Sequence, residues 1–347
     1  MAREAGRVAL RCRRALGRIL GVTGDPSRVI LALNATQGIN FALNGLLREG
    51  DVIVTTAYDH NAVLRPVETL GRQRGVVCRR VNGDPSGTLD LGEVAEALQG
   101  ARLLVVNAVS NVLGTRLPLP EMAALAKDAG ALVLVDAAQW AGHFTGSLEK
   151  AGADLVAFTG HKALLGPQGI GGLWVKKGVE LNPLISGGTG SNSLHREMPA
   201  AFPDRFEAGS GNAPGMAGLL AGIEFLEGEG VESLRRHELG LKHVLWEGLS
   251  GLPGIRVLSP PAPDGVGIVS VVPQRMHPSE LAEALDRHWG VMVRYGLNCA
   301  PEVHRILGTQ KEGVVRLSLG WCSTPEDVDQ AIRGMDAITS GPVMPGF

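Results

Sequence analysis

The stretch ALVLVDAAQWAGHFTGSLEKAGADLVAFTGHK, residues 131–162, sets the fold class of this chain. It contains two continuous apolar runs, 131–138 and 154–160, and polar residues follow each run. Short apolar runs of this kind are typical of strands that are buried on both faces. Further strand-like runs lie on either side, at 28–33, 51–56, 76–81, 102–109 and 171–176. Segments with helical apolar spacing lie between the runs, at 36–48, 61–73, 91–98 and 119–129. This alternation predicts an α/β fold with a mostly parallel, seven-stranded sheet covered by helices.

After residue 176 the pattern changes. Two glycine-rich loops and a long helical stretch follow, at 185–193, 206–215 and about 214–248. The proline-rich segment 258–265 is the strongest boundary signal, and the sequence after it indicates a smaller α+β unit. A length of 347 residues also predicts about two domains. We therefore predict a large domain over 1–240 and a small C-terminal domain over 241–347.

Composition excludes several classes of function. The chain has 33 Lys and Arg residues and 35 Asp and Glu residues, which gives a net charge of −2. The protein as a whole therefore has no positive field that would attract nucleic acid or an anionic membrane. No apolar run approaches the ~20 residues that a membrane span needs. The basic segment 1–20 lacks the apolar stretch and cleavage site of a signal peptide, so we expect a cytoplasmic protein. The cysteines are far apart and show no metal-ligand spacing, so neither disulfides nor a metal site is expected: Cys12, Cys78, Cys299 and Cys322.

Lys162 is the first candidate for chemistry. It comes three residues after Thr159, where we expect the strand within 154–160 to end, and ligands of open α/β sheets bind beyond the carboxyl ends of strands. Thr159 and His161, on either side, can both bind phosphate. The alternative is an ordinary surface lysine in a glycine-rich hairpin.

Asp136 lies near the end of the most apolar run of the chain, where an unpaired carboxylate would carry a heavy desolvation cost. The pyridinium N–H of pyridoxal phosphate is one suitable partner, and a core aspartate or a helix cap is the alternative. Upstream, Asn34-Ala35-Thr36 joins a strand to the start of a helix. Such a helix start can bind an anion through free backbone N–H groups, although a simple helix cap explains it equally well when it is considered alone.

An anion-binding helix start, an acid at a strand end and a strand-end lysine, in this order, form a specific set. With these residues the chain resembles the class V aminotransferase-fold enzymes that use pyridoxal phosphate (fold type I), and among them the group II cysteine desulfurases. The resemblance spans about residues 5–335. Its motifs are NATQGIN (34–40), YDHNAVLRP (58–66), SNVLGT (110–115), VDAAQ (135–139), FTGHK (158–162), GPQGIGGL (166–173), RFEAGSGN (205–212), RYGLNCAP (294–301) and VVRLSLG (314–320).

The resemblance implies pyridoxal 5′-phosphate as cofactor. Lys162 would link to it covalently, Asp136 would hold the pyridinium nitrogen, and Gln139 would bond to the phenolic oxygen. His60 would stack on the ring and handle protons at the substrate. The phosphate would be bound by Ala35, Thr36, Thr159 and His161, and by Ser210 of a second copy, because this fold works as a homodimer.

The resemblance further implies that Asn111 and Arg316 bind the substrate carboxylate, a role that suits the planar fork of arginine. Cys299 would be the nucleophile that converts L-cysteine to L-alanine and keeps the sulfur as a persulfide. An acceptor thiol, expected on a sulfur-acceptor protein, would then take the sulfur. Cysteines are often merely buried, but a strand-like 290–296 before Cys299 and a proline after it favour exposure. The other three cysteines are assigned to packing or surface.

The chain departs from the family pattern at several positions. Ala108 and Asn298 replace histidines that are common in relatives, and Ser210 replaces a threonine. Relatives also carry a further N-terminal segment that edges the substrate pocket, so we expect either a misassigned start or an incomplete pocket. The alternatives to a desulfurase are a selenocysteine lyase, another class V enzyme such as an aminotransferase or epimerase, and an inactive homologue.

Overall fold

The computed structural model describes residues 2–191, 193–261 and 263–340. Its larger sheet has seven strands: β1 (Val29–Ala32), β2 (Val52–Thr56), β3 (Val77–Val81), β4 (Leu103–Asn107), β5 (Leu132–Asp136), β6 (Leu155–Thr159) and β7 (Gly171–Val175). They lie in the order β1-β7-β6-β5-β4-β2-β3. Strands β2 to β6 pair in parallel, whereas β7 is antiparallel to both β6 and β1. The predicted α/β fold with a mostly parallel seven-stranded sheet is confirmed.

Helices cover both faces of this sheet: α1 (Ala2–Ile19), α2 (Ala35–Leu46), α3 (Asn61–Arg74), α4 (Leu91–Ala97), α5 (Leu119–Asp128) and α6 (Ala213–Glu229). Successive side chains of a strand point to opposite faces. In β4, Leu104 and Val106 join a buried cluster with side chains of α1 and α6. Leu103 and Val105 join a second cluster with α2 and α3. Burial on both faces explains why these runs are continuously apolar rather than alternating.

A second sheet of four strands lies in the C-terminal part: β8 (Ile255–Val257), β9 (Ile268–Pro273), β10 (Arg294–Gly296) and β11 (Val314–Ser318). All its pairs are antiparallel, in the order β10-β11-β9-β8. Its helices are α7 (Val231–Ser250), α8 (Pro278–Trp289), α9 (Pro301–Leu307) and α10 (Pro325–Ser340). A third buried cluster contains apolar residues between Leu241 and Met335 only. The division at 240/241 stays a prediction.

Three local predictions were wrong. The segment 258–265 is not a domain boundary, because it connects β8 to β9, which pair with each other in one sheet. The helical stretch 214–248 is two helices that separate at Gly230, where a φ of 83° ends the α-helical path. The strand expected in 290–296 shrinks to its last three residues, Arg294–Gly296. Among the described residues, no helix is both long and apolar enough to cross a membrane.

Candidate active site

The polar residues that end the central strands meet at one edge of the larger sheet. Asn107, Asp136 and Thr159 end β4, β5 and β6, and Asn107 is the direct cross-strand partner of Asp136. A cavity of about 290 Å³ opens beside them. It is lined by Asn34, Ala35, Thr36, His60, Ala62, Asn107, Asn111, Asp136, Ala138, Gln139, Thr159, His161, Lys162, Arg294, Asn298, Cys299 and Arg316. Every site residue predicted from the sequence except Ser210 lines this cavity.

Asp136 and Lys162 place an acid and an amine in the cavity. Asp136 is 3% exposed, and its Oδ1 accepts the backbone N–H of Ala138 at 2.9 Å. Burial lowers the pKa of the Lys162 ammonium, and Arg316 and Arg294 lower it further, whereas Asp136 opposes the shift. A lowered pKa leaves more of the amine neutral and nucleophilic.

An anion cradle forms around the start of α2. The Asn34 side chain caps the helix by accepting the N–H of Gln37 at 3.0 Å. The remaining N–H groups of the first turn have no partner within the helix, and Ala35 and Thr36 of that turn line the cavity. The Thr159 Oγ1 and His161 Nδ1 atoms, which are 3.0 Å apart, add side-chain groups that can bind a phosphate.

His60 is the N-cap of α3, and its Nδ1 accepts the N–H of Ala62 at 2.9 Å. That bond selects the neutral tautomer with the proton on Nε2. Burial lowers the pKa of the imidazole, although Asp136 acts in the opposite direction. His60 therefore presents a neutral ring to the cavity.

Cys299 lies in the loop between β10 and α9, and its side chain is exposed. Asn298 and Cys299 both have left-handed backbones, with φ of 47° and 58°. Two bonds hold the loop against the large sheet. Asn61 donates its N–H to the Cys299 carbonyl at 2.7 Å, and the Asn111 Nδ2 donates to the Asn298 carbonyl at 2.7 Å. The nucleophile predicted from the sequence thus lies in the same cavity as Lys162.

Two arginines form the cationic wall of the cavity. Arg294 on β10 is the direct cross-strand partner of Arg316 on β11, and both line the cavity. Arg316 donates through Nη1 to the Asn111 carbonyl at 2.8 Å, while its buried Nε has no partner. Sequence reasoning missed Arg294, although it opens the RYGLNCAP motif, because its position depends on strand register.

Other lining residues were also missed: Asn34, Ala62, Asn107, Ala138 and Asn298. Asn34, in the quoted NATQGIN motif, had only the signal of a helix cap, and Asn298 was noted only as a departure from the family pattern. Ser210 does not line the cavity and is exposed in the loop before α6. Its predicted role needs a second copy of the chain and stays a prediction. Among the described residues, no group of three or more His, Cys, Asp or Glu side chains could hold a metal ion.

Comparison with known proteins gives a consistent family. The model of the aminotransferase class-V family matches residues 1–331. A probable cysteine desulfurase of Pyrococcus abyssi is 35% identical over 319 residues, which is 89% of this chain and 78% of that protein. A cysteine desulfurase of Serratia proteamaculans is 31% identical, over 91% of this chain and 79% of that protein. The apo structure of a cysteine desulfurase from Thermococcus onnurineus superposes with a TM-score of 0.90 at 32% identity, covering 98% of this chain and 86% of that one. The cavity, the fold and these similarities agree that the chain belongs to the class-V aminotransferase family, alongside its cysteine desulfurases.

Proposed function

We propose that this protein is a pyridoxal phosphate-dependent cysteine desulfurase, which converts L-cysteine to L-alanine and retains the sulfur on Cys299. The observation that carries the proposal is the placement of Lys162, Asp136 and the exposed Cys299 on one cavity of about 290 Å³. Relatives named cysteine desulfurase, at 31–35% identity over most of the chain, support it.

The residues present fit pyridoxal 5′-phosphate. Asp136 offers a buried carboxylate for a pyridinium N–H, and Lys162 offers a half-buried amine with a lowered pKa for the covalent link. Gln139 would bond to the phenolic oxygen, and the neutral ring of His60 would stack on the cofactor. The phosphate ligands would be Ala35, Thr36, Thr159 and His161. When bound, the cofactor supplies an electron sink for bonds at the substrate Cα.

The remaining residues bind the substrate and move protons. Arg316 would hold the carboxylate, and Asn111, which uses one Nδ2 hydrogen on Asn298, retains a second hydrogen for the same group. The lowered pKa of Lys162 suits an amine that takes a proton from Cα. His60 donates only through Nε2, which limits it to proton transfer at that atom.

Cys299 carries out the sulfur transfer. Its thiolate forms a bond to the substrate sulfur as the Cβ–Sγ bond breaks. The bonding pair goes to the carbon, and that carbon takes up the proton that the Cys299 thiol released. L-Cysteine and the Cys299 thiol thus become L-alanine and a persulfide on Cys299. An acceptor thiol, proposed to belong to a sulfur-acceptor protein, then removes the sulfur.

The test compares wild type with Cys299→Ser and Lys162→Ala during incubation with L-cysteine. We expect wild type to form alanine and a protein-bound persulfide. Cys299→Ser should keep the visible cofactor absorbance but lose activity by on the order of a thousandfold or more. Lys162→Ala should lose the borohydride-reducible link to the cofactor. Equal alanine formation by wild type and Cys299→Ser, or exchange between an amino acid and a keto acid without persulfide, would contradict the proposal.

We further propose a cytoplasmic homodimer of two-domain chains, divided at 240/241. Ser210 lies on an exposed glycine-rich loop of the described chain, outside the cavity. A two-fold axis would bring this loop to the phosphate of the other copy. We expect light scattering to give a dimer and Ser210→Ala to weaken cofactor binding. A monomer with full cofactor occupancy would rule out this arrangement.

A further inference from the structure

The backbone of Gln139 is held by a neighbouring side chain. The Gln139 carbonyl oxygen and the ring Nδ1 of His143 lie 2.8 Å apart in the turns that follow β5. A carbonyl oxygen only accepts, so Nδ1 carries the proton of this hydrogen bond. Gln139 lines the active-site cavity and is the proposed partner of the phenolic oxygen of the cofactor. His143 therefore fixes the backbone at the residue that makes this contact.

The other ring nitrogen of His143 faces α7. Its Nε2 lies 3.3 Å from Oε2 of Glu238, and the two side chains are only 13% and 7% exposed. Because an ionised carboxylate also only accepts, the ring can bond to both partners at once only when it carries a proton on each nitrogen. Both residues line a second cavity of about 330 Å³, which shares Gln139 and Lys162 with the active-site cavity. The pair thus lies immediately beside the site.

Glu238 is in turn fixed to the small sheet. Its Oε1 accepts the N–H of Gly267, and a Cβ at Gly267 would lie 2.5 Å from the Glu238 Cγ, so this contact requires glycine. The Gly267 carbonyl accepts the N–H of Leu319 at 2.7 Å, directly after β11. Strand β11 carries Arg316, the proposed partner of the substrate carboxylate. A continuous series of contacts therefore runs from Gln139 to the strand that holds this arginine.

We propose that His143 and Glu238 form a positioning pair, which holds Gln139 in place against the phenolic oxygen of the cofactor. The proposal rests on the proposed function, which assigns that contact to Gln139. A donor on the phenolic oxygen stabilises the form of the cofactor in which this oxygen carries the full negative charge. Loss of the fixed position of Gln139 should therefore move the titration of the bound cofactor to higher pH.

The test is a pH titration of the visible cofactor absorbance in the loaded protein. We expect the midpoint to rise by about half to one pH unit in His143→Leu and in Glu238→Ala, the size of one hydrogen bond. In a Gln139→Ala background, which removes the amide itself, neither substitution should shift the midpoint further.

The same helix supplies a matched control. His243 Nε2 and Glu247 Oε1 are 3.4 Å apart on α7, but their side chains are 67% and 61% exposed. His243→Leu should leave the midpoint unchanged. Glu238→Gln should also keep the wild-type midpoint, because glutamine retains an acceptor for Gly267 and can donate to Nε2 of a neutral His143. A shift in Glu238→Gln as large as in Glu238→Ala, or a shift that persists without the Gln139 amide, would overturn the proposal.

The titration separates this inference from the proposed reaction, because it needs bound cofactor but no amino acid. A midpoint that rises in Glu238→Ala, but not in Glu238→Gln or His243→Leu, supports the positioning pair even when wild type forms no alanine from L-cysteine. That result would contradict only the desulfurase activity. If His143→Leu does not fold, the two Glu238 variants give the same comparison. A wild type that takes up no pyridoxal phosphate would overturn both proposals.

Discussion

Asp59, immediately before His60, is a buried carboxyl that the proposed chemistry does not use. It is 0% exposed, and its Oδ2 accepts the N–H of Thr56 at 2.6 Å, while its Oδ1 has no partner. Burial raises the pKa of Asp59 to about 7, and the nearby charge of Asp136 acts in the same direction. The protein therefore holds a protonated carboxyl under the site in mildly acidic solution.

We predict that Asp59→Asn makes stability less dependent on pH. The folded pKa of Asp59 lies above the unfolded value of about 3.9, so its contribution is complete below pH ~4 and is lost as pH rises through about 7. Asparagine keeps an acceptor for Thr56 and cannot ionise. In urea unfolding at pH 4.5, 6 and 8, the free energy of unfolding of the variant relative to wild type should rise by about 3 kcal/mol from the lowest to the highest pH.

Asp84 supplies a control of opposite sign. Slight desolvation raises its pKa, but hydrogen bonds from Ser86 and Thr88 outweigh it and lower the pKa to about 2. Its stabilising contribution is present above the unfolded pKa and is lost as pH falls through about 2. Asp84→Asn should therefore be less stable than wild type at pH 8, with a difference that narrows in acid. A difference for Asp59→Asn that does not change between pH 4.5 and 8 would contradict its predicted ionisation.

At the level of elements, the position of α2 depends on contact between two glycines. A Cβ at Gly38 would lie 2.4 Å from the carbonyl oxygen of Gly172 in β7. Helix and strand backbones can approach this closely only without a side chain. The same helix carries Ala35 and Thr36 at its start, so the contact also sets where the anion cradle lies.

We predict that Gly38→Ala destabilises the protein by about 1–3 kcal/mol, the usual cost of overpacking. Moving α2 away from β7 should also weaken cofactor binding, measured by titration of the visible absorbance. Gly240→Ala is the matched control, because Gly240 lies in α7 with no heavy atom within 4 Å of the added Cβ. In Gly240→Ala, the higher helix propensity of alanine should raise the stability by up to about 1 kcal/mol relative to wild type. Equal stability changes in the two variants would refute the packing argument.

At the level of the whole molecule, Arg13 joins three distant parts of the chain. Its guanidinium on α1 is 7% exposed, donates to the Val29 carbonyl and pairs with both carboxylate oxygens of Glu207 at 2.7 Å. Glu207 also accepts the N–H of Leu31 in β1 at 2.6 Å. This pair ties α1 and the first strand to the loop that carries Ser210.

We predict that Arg13→Met lowers the free energy of unfolding by about 3–5 kcal/mol, because it leaves the Glu207 carboxylate without its cation. Adding Glu207→Gln should restore part of the loss, since the uncompensated charge is then removed. Urea unfolding of both single variants and the double variant gives the coupling energy. Additive effects would show that the pair does not act as a unit.

Much of this molecule follows from local sequence. The apolar runs at 131–138 and 154–160 contain β5 and β6. Asp136, the last residue of β5, and Lys162, three residues after β6, both line the cavity. Such features were predictable because burial on both faces demands an unbroken apolar run, and parallel strands end at a common edge. The cap of α2 by Asn34 is equally local.

Other features depend on contacts that no local pattern encodes. Arg294 faces the cavity because β10 pairs with β11 in a register that places it opposite Arg316. Asn111 meets the Cys299 loop 187 residues away, and β8 joins the small sheet despite the prolines that follow it. Register and loop docking are set by the packing of whole elements, whose energies are summed over many weak contacts. Strand ends and helix caps can therefore be predicted from neighbouring residues. The orientation of the Asn111 amide and the pairing of Arg294 with Arg316 arise only when both sheets are assembled.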